Sequence, residues 1–160
     1  MSDIDESFFT GFGECVLGDV DIADTAPSRL SPLVLAFIGD SVYDVFVRGM
    51  LAQHVSGNVH KLHLEATKHA RCASQADVIR SIYDELTEHE QSIVRRGRNA
   101  HSGYVPKNAI VSEYRYATGF EALLGYLFMC RNFNRLSYIL NLAAQRVAVC
   151  SEKKKVSNAK

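Results

Sequence analysis

Asp40 interrupts an almost unbroken apolar run, Leu35-Ala36-Phe37-Ile38-Gly39-Asp40-Ser41-Val42-Tyr43-Asp44, and Glu121 does the same in Thr118-Gly119-Phe120-Glu121-Ala122-Leu123-Leu124-Gly125-Tyr126. A carboxylate withdrawn from water without a partner costs several kcal/mol, so each acid calls for compensation, and the two can share one. Oxygen donors with room for water suit Mg²⁺, or Mn²⁺, which bind through one or two carboxylates and keep several waters. Such an ion lowers the pKa of a bound water and neutralises charge on a phosphoryl oxygen. The plainer reading of Asp40 is a hydrogen bond to a neighbouring helix end. Asp44, one turn further on, adjoins Asp40 on the same helix face, where two acids repel unless a cation or solvent intervenes.

A second constellation is basic. Arg95, Arg96, Arg98, Lys107 and Arg115 fall in a short span opposed only by Glu113, with Asn99 and Asn108 among them. Charge of this kind gives affinity for phosphate, and fixed amide donors give register. A basic run at a helix C-terminus also complements the macrodipole as solvated surface. An acid pair suited to a cation, together with a phosphate-binding cluster, points to phosphodiester hydrolysis.

Other polar features carry less. His54, His60, His63 and His69 crowd one region without the third-ligand spacing of a zinc site, and read as surface helix residues. Tyr114, Tyr116 and Tyr126 have the spacing of core aromatics as much as of base-stacking ones. Ser41 and Ser102 lack a recognisable acid and base arrangement.

The elements that must position these groups are helical. Ser31-Pro32 opens a helix over 33–52, apolar on nearly every face and therefore expected to be central, with Asp40 buried in it. Further helices are expected over 59–69, 70–86, 91–96, 113–131 and 133–149. Thr87-Glu88-His89-Glu90 has the form of a capping box before the helix over 91–96. No segment alternates as a strand does, which makes the fold class all-α. The polar stretch 97–112 reads as a turn-rich connection.

The 160 residues, 47% of them hydrophobic, suffice for one core. Net charge is zero, but residues 1–28 hold seven acids and no Lys or Arg, leaving 11 acids against 18 bases in the remainder. That excess of about +7 can attract a polyanion. Three regions follow: an acidic N-terminal extension, 1–28, partly disordered; a catalytic domain, 29–149; and a basic, disordered tail, 150–160. Cys15, Cys72, Cys130 and Cys150 form no C-x-x-C pair, consistent with a reduced, cytoplasmic chain. The acidic start leads into no apolar h-region, and the run from Leu33 to Val47 is too short to span a bilayer.

The run around Asp40, together with Arg95-Arg96-Gly97-Arg98-Asn99-Ala100, Pro106-Lys107-Asn108-Ala109 and residues 114–127, resembles the Mini-ribonuclease III family. The resemblance covers Ser31 to Ala144. It implies a ribonuclease III-like all-α endonuclease domain that works as a homodimer on double-stranded RNA. A Mg²⁺-dependent site built on Asp40 and Glu121 is implied in each subunit, with Phe37 packed into the partner beside it. Typical ribonuclease III enzymes carry two further carboxylates, where this chain has Ala36 and Thr118, a departure shared with the Mini-III pattern. A second metal would need water, phosphate or Asp44. The chain ends too soon after Val149 for a separate RNA-binding domain, so RNA is expected to be held by the catalytic dimer through Arg95, Arg96, Arg98, Asn99, Lys107, Asn108 and Arg115. Products with 5′-phosphate ends and a role in maturing precursor 23S (large-subunit) ribosomal RNA are implied by the same likeness. The rival readings are a catalytically silent RNA-binding or ribosome-associated helical module and a protein-binding scaffold.

Overall fold

The structure, a computed structural model, describes residues 26–54, 57–101 and 110–157, and gives the backbone alone beyond residue 146. Six α-helices make it up: α1 (Pro32–His54), α2 (Val59–His69), α3 (Cys72–Ile82), α4 (Glu88–Asn99), α5 (Val111–Met129) and α6 (Phe133–Ser157). Short 3₁₀ turns stand at Pro27–Arg29 and Tyr83–Glu85, and there is no strand among the described residues. The all-α expectation holds.

Local chemistry sets the helix starts. The Ser31 hydroxyl accepts from the Val34 amide (3.2 Å) ahead of Pro32, so α1 begins as the Ser-Pro pair predicts. At α4 both halves of the capping box form: Glu90 N–H donates to Thr87 Oγ1 (3.3 Å), and Thr87 N–H donates to Glu90 Oε2 (2.8 Å). The Asn58 side chain caps α2 through the Lys61 amide. Between α5 and α6, Arg131 takes a positive φ of 54°. The amides of Arg131 and Asn132 donate back to the carbonyls of Phe128 and Leu127, closing a Schellman-type end. Asn132 then caps α6 through the Arg135 amide.

Three expectations about elements change. The helix expected over 91–96 runs from Glu88 to Asn99, into the stretch expected to be a turn-rich connection. The helix expected over 70–86 ends at Ile82 and tightens into the 3₁₀ turn, whose last bond runs from the Leu86 amide to the Tyr83 carbonyl. The helix expected to stop at residue 149 continues to Ser157, through a tail expected to lack structure. Glu152 and Lys153 to Lys155 are good helix formers in their own right.

α5 is the central element. Ala117, Phe120, Ala122, Leu123, Leu124 and Leu127 are buried along it, and α1, α3 and α4 pack around it. The main core joins Tyr43, Phe46 and Val47 of α1 to Val78, Ile79 and Ile82 of α3, Phe120 to Phe128 of α5 and Leu136 to Ala143 of α6. Tyr43 meets Phe120 edge-on, with ring centroids 5.3 Å apart. A buried ion pair ties α4 to α6. Arg135 Nε and Nη2 each donate to a Glu90 carboxylate oxygen at 2.8 Å, and Nη2 also donates to the Glu85 carbonyl.

Two crossings need glycine. A Cβ on Gly39 would collide with the Glu121 carbonyl and lie 2.7 Å from the Gly125 amide nitrogen, and one on Gly125 would collide with the Leu35 carbonyl. Where α4 crosses α5, a Cβ on Gly97 would stand 2.8 Å from the Gly119 Cα. The glycines inside α5 therefore admit neighbouring helices, at a local cost of about 1 kcal/mol each in helix propensity.

Candidate active site

The Gly39–Gly125 crossing brings Asp40 and Glu121 together. Backbone contact between α1 and α5 at this point leaves the side chain after Gly39 beside that of Glu121, and the Asp40 charge is felt at Glu121. Burial, then repulsion from Asp40, push the Glu121 pKa up to about 8, while the Gln75 carboxamide works in the opposite direction. Partial burial and then the Asp44 charge raise the pKa of Asp40. Among the described residues no basic side chain pairs with either acid.

The expectation of burial holds for Glu121 and fails for Asp40. Asp40 is an exposed residue, and Glu121 is the acid withdrawn from water. Around α1, Asp40 shares its face with Phe37 and Ser41, and this face also exposes Leu33, Val34 and Val45. The helix is apolar all round because it has two apolar faces, of which the described residues cover one. Asp44 does not wait for a cation: it accepts from Arg48 Nε at 2.8 Å, one turn along.

α3 closes the site from the other side. Cys72 and Gln75 lie three residues apart on one face of it. The Cys72 thiol is pushed up by burial and then by the Glu121 charge, which keeps it protonated beside the acids. Gln75 is 1% exposed, and neither Oε1 nor Nε2 meets hydrogen-bond geometry with any described protein atom. Sequence reasoning missed Gln75. A glutamine among the apolar positions Ala76, Val78 and Ile79 was the one available signal.

Among the described residues no group of three or more His, Cys, Asp or Glu is arranged to hold a metal. A glutamate destabilised by burial and by the Asp40 charge, beside an aspartate open to water, is nevertheless a donor set that fits a hard divalent cation retaining most of its waters. Ala36 and Thr118 are both buried, and the Thr118 hydroxyl donates to the Tyr114 carbonyl at 3.0 Å within its own helix.

The described arginines of α4 have partners other than the acids. Arg95 donates to the Tyr83 hydroxyl and Arg98 to that of Tyr116, each at 3.3 Å. Arg98 and Arg80 both approach the Tyr116 ring, at 5.4 and 4.4 Å from its centroid. Tyr116 stands about 140° round α5 from Glu121, and the exposed Arg115 about 120° the other way. Half-buried Arg96 donates to the carbonyls of Ser28 and Leu30, fastening the segment before α1. Asn99 is exposed at the end of α4. Lys107 and Asn108 lie outside the described residues.

A family match makes this helical fold a nuclease domain: the chain belongs to the ribonuclease III domain family, whose model matches residues 33–132. The family makes it an endoribonuclease. Within that family its relatives are Mini-ribonuclease 3 proteins. The one from Thermoanaerobacter sp. (strain X514) is 51% identical over 116 residues, covering 72% of this chain and 82% of the relative. That from Symbiobacterium thermophilum is 43% identical over 118 residues, 74% of this chain and 91% of the relative. The fold is also that of a crystal structure of a protein from Fusobacterium nucleatum, with a TM-score of 0.66 at 25% identity, covering 73% of this chain and 93% of the other. No helix among the described residues is long and apolar enough to cross a membrane.

Proposed function

We propose that this endoribonuclease cuts double-stranded RNA with a divalent cation held by Asp40 and Glu121, Mg²⁺ in the cell and Mn²⁺ as a substitute. The observation that supports this reading is the pair itself: a largely buried glutamate with its pKa pushed up to about 8, beside an aspartate whose charge adds to the penalty. A cation removes both costs at once. When bound, it supplies an activated water and charge neutralisation at the scissile phosphate. Glu121, fixed by its burial on α5, orients the site, and Asp40 presents the second oxygen donor from the solvent side.

The working unit is a homodimer. Phe37 is 78% exposed on the same face as Asp40, with Leu33, Val34 and Val45 beside it, an apolar surface that a second copy would cover. Dimerisation through this face would put the two acid pairs near one interface. Duplex RNA would lie across both subunits, with Arg95, Arg98, Asn99, Lys107, Asn108 and Arg115 on phosphates and ribose, and with A-form shape setting specificity. Arg96 contributes charge while holding the segment before α1. Products would bear 5′-phosphate and 3′-hydroxyl ends, and the substrate would be precursor large-subunit (23S) ribosomal RNA in the cytoplasm.

Cleavage of an end-labelled RNA duplex, with and without Mg²⁺, tests the reading. Wild type should cut only with the cation, and Asp40→Asn and Glu121→Gln should each abolish cutting. Metal-independent cutting, or full activity in either variant, would sink it.

A further inference from the structure

Gln75 is the one buried side chain whose polar atoms lack partners among the described residues. It is 1% exposed on α3, which packs against α5, and Ala76, Val78 and Ile79 of its own helix are all at most 2% exposed. Leaving an amide unsatisfied in such a place is destabilising. Methionine or leucine would fill a similar volume without that cost. Packing therefore gives no reason for an amide, but its location does. Gln75 stands one turn from Cys72 on the face of α3 turned to the acids, and its carboxamide is close enough to Glu121 to favour the carboxylate form.

We propose that Gln75 is a positioning residue of the acid-pair site: its Nε2–H donates to the Glu121 carboxylate and holds it toward Asp40, leaving Oε1 to accept from the hydration shell of a bound cation. The inference rests on the metal reading of the pair. A carboxamide suits the task because it offers a donor to the carboxylate and an acceptor to water from one rigid plane, without a charge of its own. A third carboxylate there would add to the repulsion, and an arginine or lysine would neutralise the pair and displace the cation. Partners of metal-binding carboxylates of this kind, when removed, weaken metal affinity by about 10–100-fold.

This arrangement separates stability from function in a measurable way. Replacing one buried amide by an apolar side chain of similar volume leaves folding little changed or improved, whereas removing a positioning donor weakens cation binding. The test uses the full chain, with wild type, Gln75→Met and Gln75→Leu each titrated calorimetrically with MnCl₂ and MgCl₂ and melted without metal. The expected result is a metal-free melting temperature at or above that of wild type in both variants, with Mn²⁺ affinity lower by about 10–100-fold. Unchanged Mn²⁺ affinity in the variants, with wild type binding normally, would overturn the role of Gln75 alone. Wild type that binds neither cation would overturn the metal reading of the acid pair, and this inference with it.

Discussion

Gly39 and Gly125 face each other at the crossing of α1 and α5 so closely that a Cβ on Gly39 would come within 2.7 Å of the Gly125 amide nitrogen. That contact sets the position of the acid pair, because Asp40 follows Gly39 directly and the Glu121 carbonyl lies against the same crossing. Site geometry here is a consequence of backbone approach, and both acids are carried on regular helix.

Gly39→Ala and Gly125→Ala are expected to force α1 and α5 apart. Backbone lies opposite in both cases, so relief by a flexible side chain is not open. A loss of about 3 kcal/mol or more is expected, at the upper end for overpacked sites. Urea denaturation would check it, and a midpoint within error of wild type would show that the helices separate freely.

Stability of the metal-free protein is expected to fall as pH rises from about 4.5 to 8 through Glu121. In the unfolded chain this group ionises near its ordinary 4.5, while in the folded protein it keeps its proton until about 8, so its contribution is complete below the first value and lost above the second. Glu90 acts in the opposite sense. Burial would raise its pKa, but hydrogen bonds from Arg135 and the Thr87 amide outweigh that and lower it, so its contribution is present above the ordinary value and lost in acid. Melting temperatures across this range, wild type minus Glu121→Gln, isolate the Glu121 part; a difference independent of pH would refute the assignment.

Arg135→Met leaves the Glu90 carboxylate buried without its cation and frees the Glu85 carbonyl. The expected cost is about 3 kcal/mol, since the side chain of Glu90 is nearly closed to solvent while that of Arg135 is partly screened. Thermal unfolding with Arg135→Met/Glu90→Leu as the companion variant tests this: the double substitution should recover part of the loss.

Phe37→Asp should separate subunits without unfolding them, because the ring is the most exposed of the large apolar side chains on the Asp40 face. Loss of a central aromatic anchor costs about 2 kcal/mol, or roughly thirtyfold in self-association. Sedimentation velocity over a concentration series reads this directly; a wild type that is monomeric throughout would remove the basis for the dimer.

Much of the fold follows from short-range chemistry. Ser31-Pro32, Thr87 with Glu90, and the periodic apolar positions of α5 and α6 specify helix starts and buried faces, since capping and 3.6-residue periodicity act within a few residues of chain. The resemblance carried by the runs around Asp40 and Glu121 likewise identified the family. Burial did not follow. An all-round apolar helix looks the same in sequence whether its second face meets its own core or a second molecule, and only packing showed that Phe37 and Asp40 lie on the face the described residues leave open.

By itself, then, the sequence determined the all-helical class and the family to which the chain belongs, and it singled out the two acids as interruptions of apolar runs. The tertiary structure decided which acid is buried, that Asp44 is neutralised by Arg48, that Arg96 is engaged with backbone carbonyls, and that Gln75 stands beside Glu121. These are all matters of which surfaces of distant helices meet. Gln75 and Glu121 approach each other through the docking of α3 on α5, a contact between residues far apart in the chain that no local pattern encodes.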